Sequence, residues 1–138
     1  MKGLVWVLDP VDGTTNLVHD YQNSTISLAL LSDGEAIVGI VYNPYFNIFM
    51  HVFKDCQDIR RCGCASLDMV HVACGRIDGY MENHLKLWDY AAGTLIVREA
   101  GGEVLNYDGE NLSMLLDGSI VTGNPYIARD LVQRYLIK

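Results

Sequence analysis

Asp9 and Asp12 stand three residues apart at the end of a short apolar run, with Pro10 between them and Gly13-Thr14-Thr15-Asn16 behind. Proline fixes its own φ and holds the preceding residue extended, so two carboxylates can be presented from one turn without collapsing into a helix. Paired carboxylate oxygens suit a hard cation such as Mg²⁺, which commonly binds through one or two carboxylates plus a substrate phosphate. The Val11 carbonyl is a further oxygen ligand in the same turn. Gly13 lets the backbone approach a ligand closely, and a helical turn starting at Gly13 to Asn16 would aim free N–H groups at a phosphate. Thr14 adds a hydroxyl there. Asp and Gly are also ordinary turn formers, so this segment alone reads equally well as a capped turn.

A third carboxylate lies far along the chain, in Trp88-Asp89-Tyr90-Ala91-Ala92-Gly93. It is read at a helix start, where capping and the helix dipole favour a negative oxygen. By itself Asp89 is an N-cap. The small residues Ala91, Ala92 and Gly93 let that helix pack closely and bring Asp89 towards the Asp9 and Asp12 turn.

The elements that must position these groups follow from pattern. Leu4 to Leu8 reads as a buried strand ending in the polar turn. Asn23–Leu31 and Ala36–Tyr42 read as a hairpin joined at Ser32-Asp33-Gly34, with a third strand over Tyr45–Phe53. A helix is expected from Ala65 to Ala73, closed near Gly75, then a strand over Arg76–Met81. The helix opened by Asp89 ends at Gly101-Gly102. Val104-Leu105 and Ser119–Thr122 read as short strands, and Ile127–Leu136 as a terminal helix. No repeat or linker divides the 138 residues, which read as one domain.

Composition narrows the partners. A net charge of −7 with no run of Lys or Arg argues against nucleic acid, and a divalent cation is what would let so acidic a chain hold a phosphate ester. No apolar stretch reaches the length of a membrane span, and the first residues are unlike a signal peptide, so a cytoplasmic protein is expected. Cys56, Cys62, Cys64 and Cys74 lack paired C-x-x-C spacing and read as reduced thiols. His19, His51, His71 and His84 are scattered and receive no role.

Together, WVLDPVDGTTNLVH and WDYAAGTLIVREAGG resemble the two signature motifs of the inositol monophosphatase family, in the family's order. Ser27–Pro44, Arg61–Glu82 and Ile120–Asn124 are similar as well. The resemblance implies an α+β fold of αβαβα layers and an Mg²⁺-dependent, lithium-sensitive phosphatase acting on inositol monophosphate or a related sugar phosphate. Asp9, Asp12 and the Val11 carbonyl would bind one Mg²⁺, and Asp89 a second shared with Asp12. Gly13, Thr14 and Thr15 would face the phosphate and attacking water, while Ala65 and Glu82 match positions near the substrate's ring hydroxyls. Two ions can activate a water and stabilise a leaving alkoxide without a covalent intermediate.

The chain departs from that pattern in two places. The family's N-terminal helices and a strand with a metal-binding glutamate have no counterpart, and a longer family segment is reduced to a short link between Lys54 and Arg60. The fold is therefore expected to be a partial domain over residues 1–138. A sheet stripped of two helices would expose apolar surface, which invites association with another chain, a homodimer included. A catalytically inactive member that binds metal or a partner is the alternative reading. Fructose-bisphosphatase or nucleotide 3′-phosphatase activity on the same core is a lesser one.

Overall fold

A computed structural model describes residues 2–44 and 61–136. The first sheet is an antiparallel meander of β1 (Leu4–Asp12), β2 (Thr25–Ser32) and β3 (Glu35–Tyr42) in that spatial order. The β2–β3 turn is Asp33-Gly34, both with positive φ (49° and 90°), as a two-residue hairpin whose twist matches its strands requires. A short helix, α1 (Thr14–Val18), links β1 towards β2.

Helices α2 (Ala65–Ala73) and α3 (Leu87–Glu99) lie against one another, and α3 crosses all three strands of the first sheet. Their close approach depends on Gly93, where an added Cβ would fall 2.7 Å from the Met69 sulfur. Beneath the helices is a second antiparallel sheet, β4 (Gly79–Lys86), β6 (Asp117–Gly123) and β5 (Glu103–Leu105), in the order β4-β6-β5. Helix α4 (Pro125–Leu131) packs on β5 and β6 and continues as a π-helical turn, Val132–Leu136. Asn124 caps α4 by accepting from the amides of Tyr126 and Ile127.

The described layers thus run sheet, helix pair, sheet, helix: the α+β fold class expected, with the αβαβα order incomplete. The core joins Leu31, Met69, Tyr90, Val97, Val104 and Ile120 from both sheets and the helices between them. The outward face of the first sheet is apolar and open, with Leu4, Trp6, Leu8, Ile26, Ile40 and Tyr42 all exposed.

Several expectations need correction. Leu4 to Leu8 is not buried on both faces, since Val7 points to the core while its alternating neighbours face outward. The strand read at Arg76 begins at Gly79 and runs on to Lys86. The strand expected over Tyr45–Phe53 lies outside the described residues. No helix among the described residues is long and apolar enough to cross a membrane.

Candidate metal centre

Side chains alternate along a strand, so Asp9 and Asp12, three residues apart, would ordinarily face opposite sides of β1. A bulge prevents this: Asp9 pairs with Ser27 and Asp12 with Thr25, so β1 advances three residues while β2 advances two. The extra residue resets the alternation. The two aspartates therefore belong to a bulged strand end, and not to a turn beyond it as the sequence suggested. Asp9 Oδ1 accepts the Val11 amide at 2.9 Å, which fixes the bulge from within.

Gly13 follows with φ +82°, and a Cβ there would lie 2.8 Å from the Asn23 carbonyl oxygen. Only glycine fits that turn into α1. Thr14 Oγ1 donates back to the Val11 carbonyl at 2.9 Å.

Asp89 arrives from the opposite side. It is the third residue of α3 and not its N-cap, a place held by Lys86, yet it still satisfies an orphan donor by accepting the Lys86 amide at 2.6 Å. The hydroxyl of Ser27 on β2 donates to the Trp88 carbonyl at 3.3 Å and pins this helix end to the first sheet. As a result Asp9, Asp12 and Asp89 converge, with one carboxylate oxygen of each within 4.8 Å of the others.

Asp12 is buried, and one of its oxygens, Oδ2, is held by the Ser66 amide at 2.8 Å, the Ser66 hydroxyl at 2.5 Å and the Cys64 thiol at 3.2 Å. Burial and the Asp12 charge keep the Cys64 thiol protonated. Thr25 completes the cradle by bonding both the Ser66 hydroxyl and the Cys64 thiol. Cys64 and Ser66 were not singled out from sequence. Their only signal is the small, polar start of α2 in Gly63-Cys64-Ala65-Ser66.

Crowding raises the proton affinity of the other two aspartates. Burial pushes Asp89 up to about 6, with the Asp12 and Asp9 charges adding to it and the Lys86 amide opposing. Asp9 is raised for the same leading reason, against the Val11 amide, with the Asp12 charge adding. Three mutually repelling oxygen donors at one point suit a hard cation, which would replace repulsion with attraction.

Thr15 sits in the same first turn of α1, where its carbonyl accepts the His19 amide at 3.2 Å. Ala65 is buried at the first position of α2, between Cys64 and Ser66. Glu82 lies on β4, paired with Arg61 and accepting from the Tyr80 hydroxyl, and is not one of the three converging acids.

A layered α+β domain that gathers three aspartates from a bulged strand and a facing helix matches a known class of proteins. The inositol monophosphatase family model matches residues 1–57 and 45–136, and the chain belongs to that family. It is 33% identical over 175 aligned positions to Nus factor SuhB of Escherichia coli strain K12, covering 92% of this chain and 65% of that protein. Against inositol-1-monophosphatase of Bacillus subtilis it is 28% identical, covering 99% of this chain and 69% of the relative. Inositol monophosphatase II from Staphylococcus aureus superposes with a TM-score of 0.85 at 28% identity, over 98% of this chain and 68% of that one. The chain thus spans about two thirds of the length of the relatives it matches. An alignment of 175 positions exceeds the 138 residues present, so the relatives carry internal residues that this chain lacks.

Proposed function

We propose that the chain carries the metal- and phosphate-binding core of an Mg²⁺-dependent phosphatase that hydrolyses inositol monophosphate or a related sugar phosphate. The convergence of Asp9, Asp12 and Asp89 carries this reading, because an all-oxygen, acidic, partly buried donor set is the kind that holds Mg²⁺ against a phosphate ester. The Val11 carbonyl is the fourth protein oxygen assigned to it. When bound, Mg²⁺ neutralises phosphoryl charge and lowers the pKa of water.

The chain's own groups have separate tasks in this scheme. Asp12, fixed through one oxygen by Ser66 and Cys64, keeps its carboxylate in a set orientation close to Asp9 and Asp89. Thr14 spends its hydroxyl proton on the Val11 carbonyl, which leaves its oxygen lone pairs to accept from a water and aim it at phosphorus. The amides of residues 13–15 bind the phosphate, and Ala65 and Glu82 face the sugar. A cytoplasmic location accords with this substrate class.

The deciding assay is phosphate release from inositol 1-phosphate with and without Mg²⁺, repeated with lithium, with fructose 1,6-bisphosphate and a nucleotide 3′-phosphate as competing substrates. Mg²⁺-dependent, lithium-sensitive release with inositol phosphate preferred supports the reading. A second reading, a member that binds metal or a partner without catalysis, is favoured by the open apolar face around Trp6, Leu8 and Ile40. It is selected if Mg²⁺ raises the melting temperature while no substrate turns over.

A further inference from the structure

A second set of metal-ligating side chains comes together at the start of α2, distinct from the three aspartates. Cys62 lies just before the helix, and Asp68 and His71 are three residues apart on one face of it. One ligand atom from each falls within 4.8 Å of the others, and Cys62 Sγ is 3.9 Å from His71 Nδ1. The Cys62 thiol also hydrogen-bonds the Asp68 carboxylate, whose Oδ2 accepts the Cys62 amide at 3.3 Å. All three are buried, with 7%, 4% and 3% of their surface exposed.

We propose that Cys62, Asp68 and His71 form a cation site that takes Zn²⁺. One sulfur, one imidazole nitrogen and one carboxylate oxygen are a borderline-soft set, which favours zinc over the hard cations that suit the all-oxygen aspartate cluster. Tetrahedral zinc with ordinary bonds to sulfur and nitrogen holds those two atoms about 3.6 Å apart. The observed 3.9 Å therefore needs a closure of only a few tenths of an ångström. The fourth position falls to a water or to the second oxygen of Asp68. Cys62 binds as thiolate, and its proton passes to solvent.

The site is placed to stiffen the aspartate cradle. Two residues after Cys62 comes Cys64, then Ser66, and both donate to Asp12. On the other side, Asn16 of α1 donates to the Cys62 carbonyl. An ion joining Cys62 to the body of α2 would fix the whole segment that holds Asp12.

The test titrates the full chain with Co²⁺, a spectroscopic stand-in for zinc, in excess Mg²⁺. One equivalent should produce a thiolate-to-cobalt charge-transfer band with strong visible bands of tetrahedral type, and Zn²⁺ should erase both. Cys62→Ser should abolish the charge-transfer band and weaken zinc binding by at least about tenfold, the scale seen when even an outer partner of a ligand is lost. Cys74→Ser, at an exposed thiol, should leave both unchanged. X-ray absorption on the zinc-loaded wild type, which needs no variant, should show sulfur together with nitrogen and oxygen.

A hydrogen-bonded triad without metal predicts no band and no stoichiometric uptake, and that result overturns the proposal. So does an all-oxygen shell, or a band that survives Cys62→Ser. Because Cys64 Sγ lies 3.2 Å from Asp12, loss of the band in Asp12→Asn would assign the thiolate to the aspartate site and also overturn it. A band retained in Asp12→Asn supports the proposal whatever the outcome of the phosphatase assay.

Discussion

Replacing Asp12 with Asn separates the stability of the site from its chemistry. The amide can set its carbonyl oxygen where Oδ2 now sits and keep the Ser66 and Cys64 donors satisfied. Three bonds to a charged acceptor become bonds to a neutral one, a loss of about 1 kcal/mol each. Against that, the variant removes repulsion with Asp9 and Asp89, whose oxygens lie within 4.8 Å. At that separation each ionised pair costs about 1 kcal/mol in a water-like medium and about 3 kcal/mol at an effective dielectric of 20. The loss of about 3 kcal/mol falls within the gain of about 2–6 kcal/mol from the two relieved pairs, so the metal-free variant should melt no more than a few degrees below the wild type and can melt above it. Its response to Mg²⁺ should differ sharply. The melting shift on adding Mg²⁺ should vanish, and any turnover should fall by at least about 100-fold, beyond the loss caused by disturbing a ligand's outer partner. Scanning calorimetry with and without Mg²⁺, paired with phosphate release, reads both. An undiminished Mg²⁺ shift in the variant would refute the placement of Asp12 at the centre of the cation site.

Three further outcomes follow from the same geometry. Ser66→Ala removes a buried hydroxyl bond to Asp12 while leaving the amide bond in place, and should cost about 1–3 kcal/mol in denaturant melts and weaken Mg²⁺ binding by about 10-fold or more. Gly13→Ala forces a side chain into φ +82° and towards the Asn23 carbonyl, so it should destabilise the chain by at least about 1–2 kcal/mol and lower Mg²⁺ affinity; an unchanged melt would contradict the turn geometry. Asp89, raised to about 6 by burial and by its acidic neighbours, holds a proton in the folded chain that the unfolded chain has lost between about pH 4 and 6. Its contribution to metal-free stability is present at the acid end of that window and lost as pH rises through 6, whereas neutral His71, lowered by burial, works in the opposite sense. Asp89→Asn should therefore flatten the decline in stability from pH 5 to 7, and a difference between variant and wild type that does not change with pH would reject the assignment.

The parts of the fold legible in the sequence were those set by short-range chemistry. The β2–β3 hairpin followed from Asp33-Gly34, α2 from its apolar spacing and Gly75, and the end of α3 from Gly101-Gly102. The three aspartates could be picked out by type and spacing, yet what brings them together could not. The bulge between Asp9 and Asp12 exists only relative to β2, since register is a property of a strand pair. The start of α3 lies earlier than the sequence suggests because Asp89 does a capping residue's work, accepting the Lys86 amide, from three positions past the N-cap. Cys64 and Ser66 stayed hidden because their partner lies more than 50 residues earlier in the chain. The open outer face of the first sheet agrees with the expectation drawn from the family resemblance, although β1 alone does not show it, because a continuous apolar run reads as buried on both sides.

That outer face and the aspartate site share β1 but occupy opposite sides of it. Leu4, Trp6 and Leu8 point outward, while the bulge brings both Asp9 and Asp12 towards α3. A partner placed on the apolar face would therefore act on the aspartate site through strand position and not through contact with the aspartates. The segment from Cys62 to Ser66 has the contrary relation, since two of its residues bond Asp12 directly and a third anchors Asn16. Loosening that segment changes the orientation of a ligand oxygen, and reshaping the outer face changes mainly the stability and association of the chain. The cradle around Asp12, built from β2 and the start of α2, is thus the element on which the proposed cation binding would most directly depend.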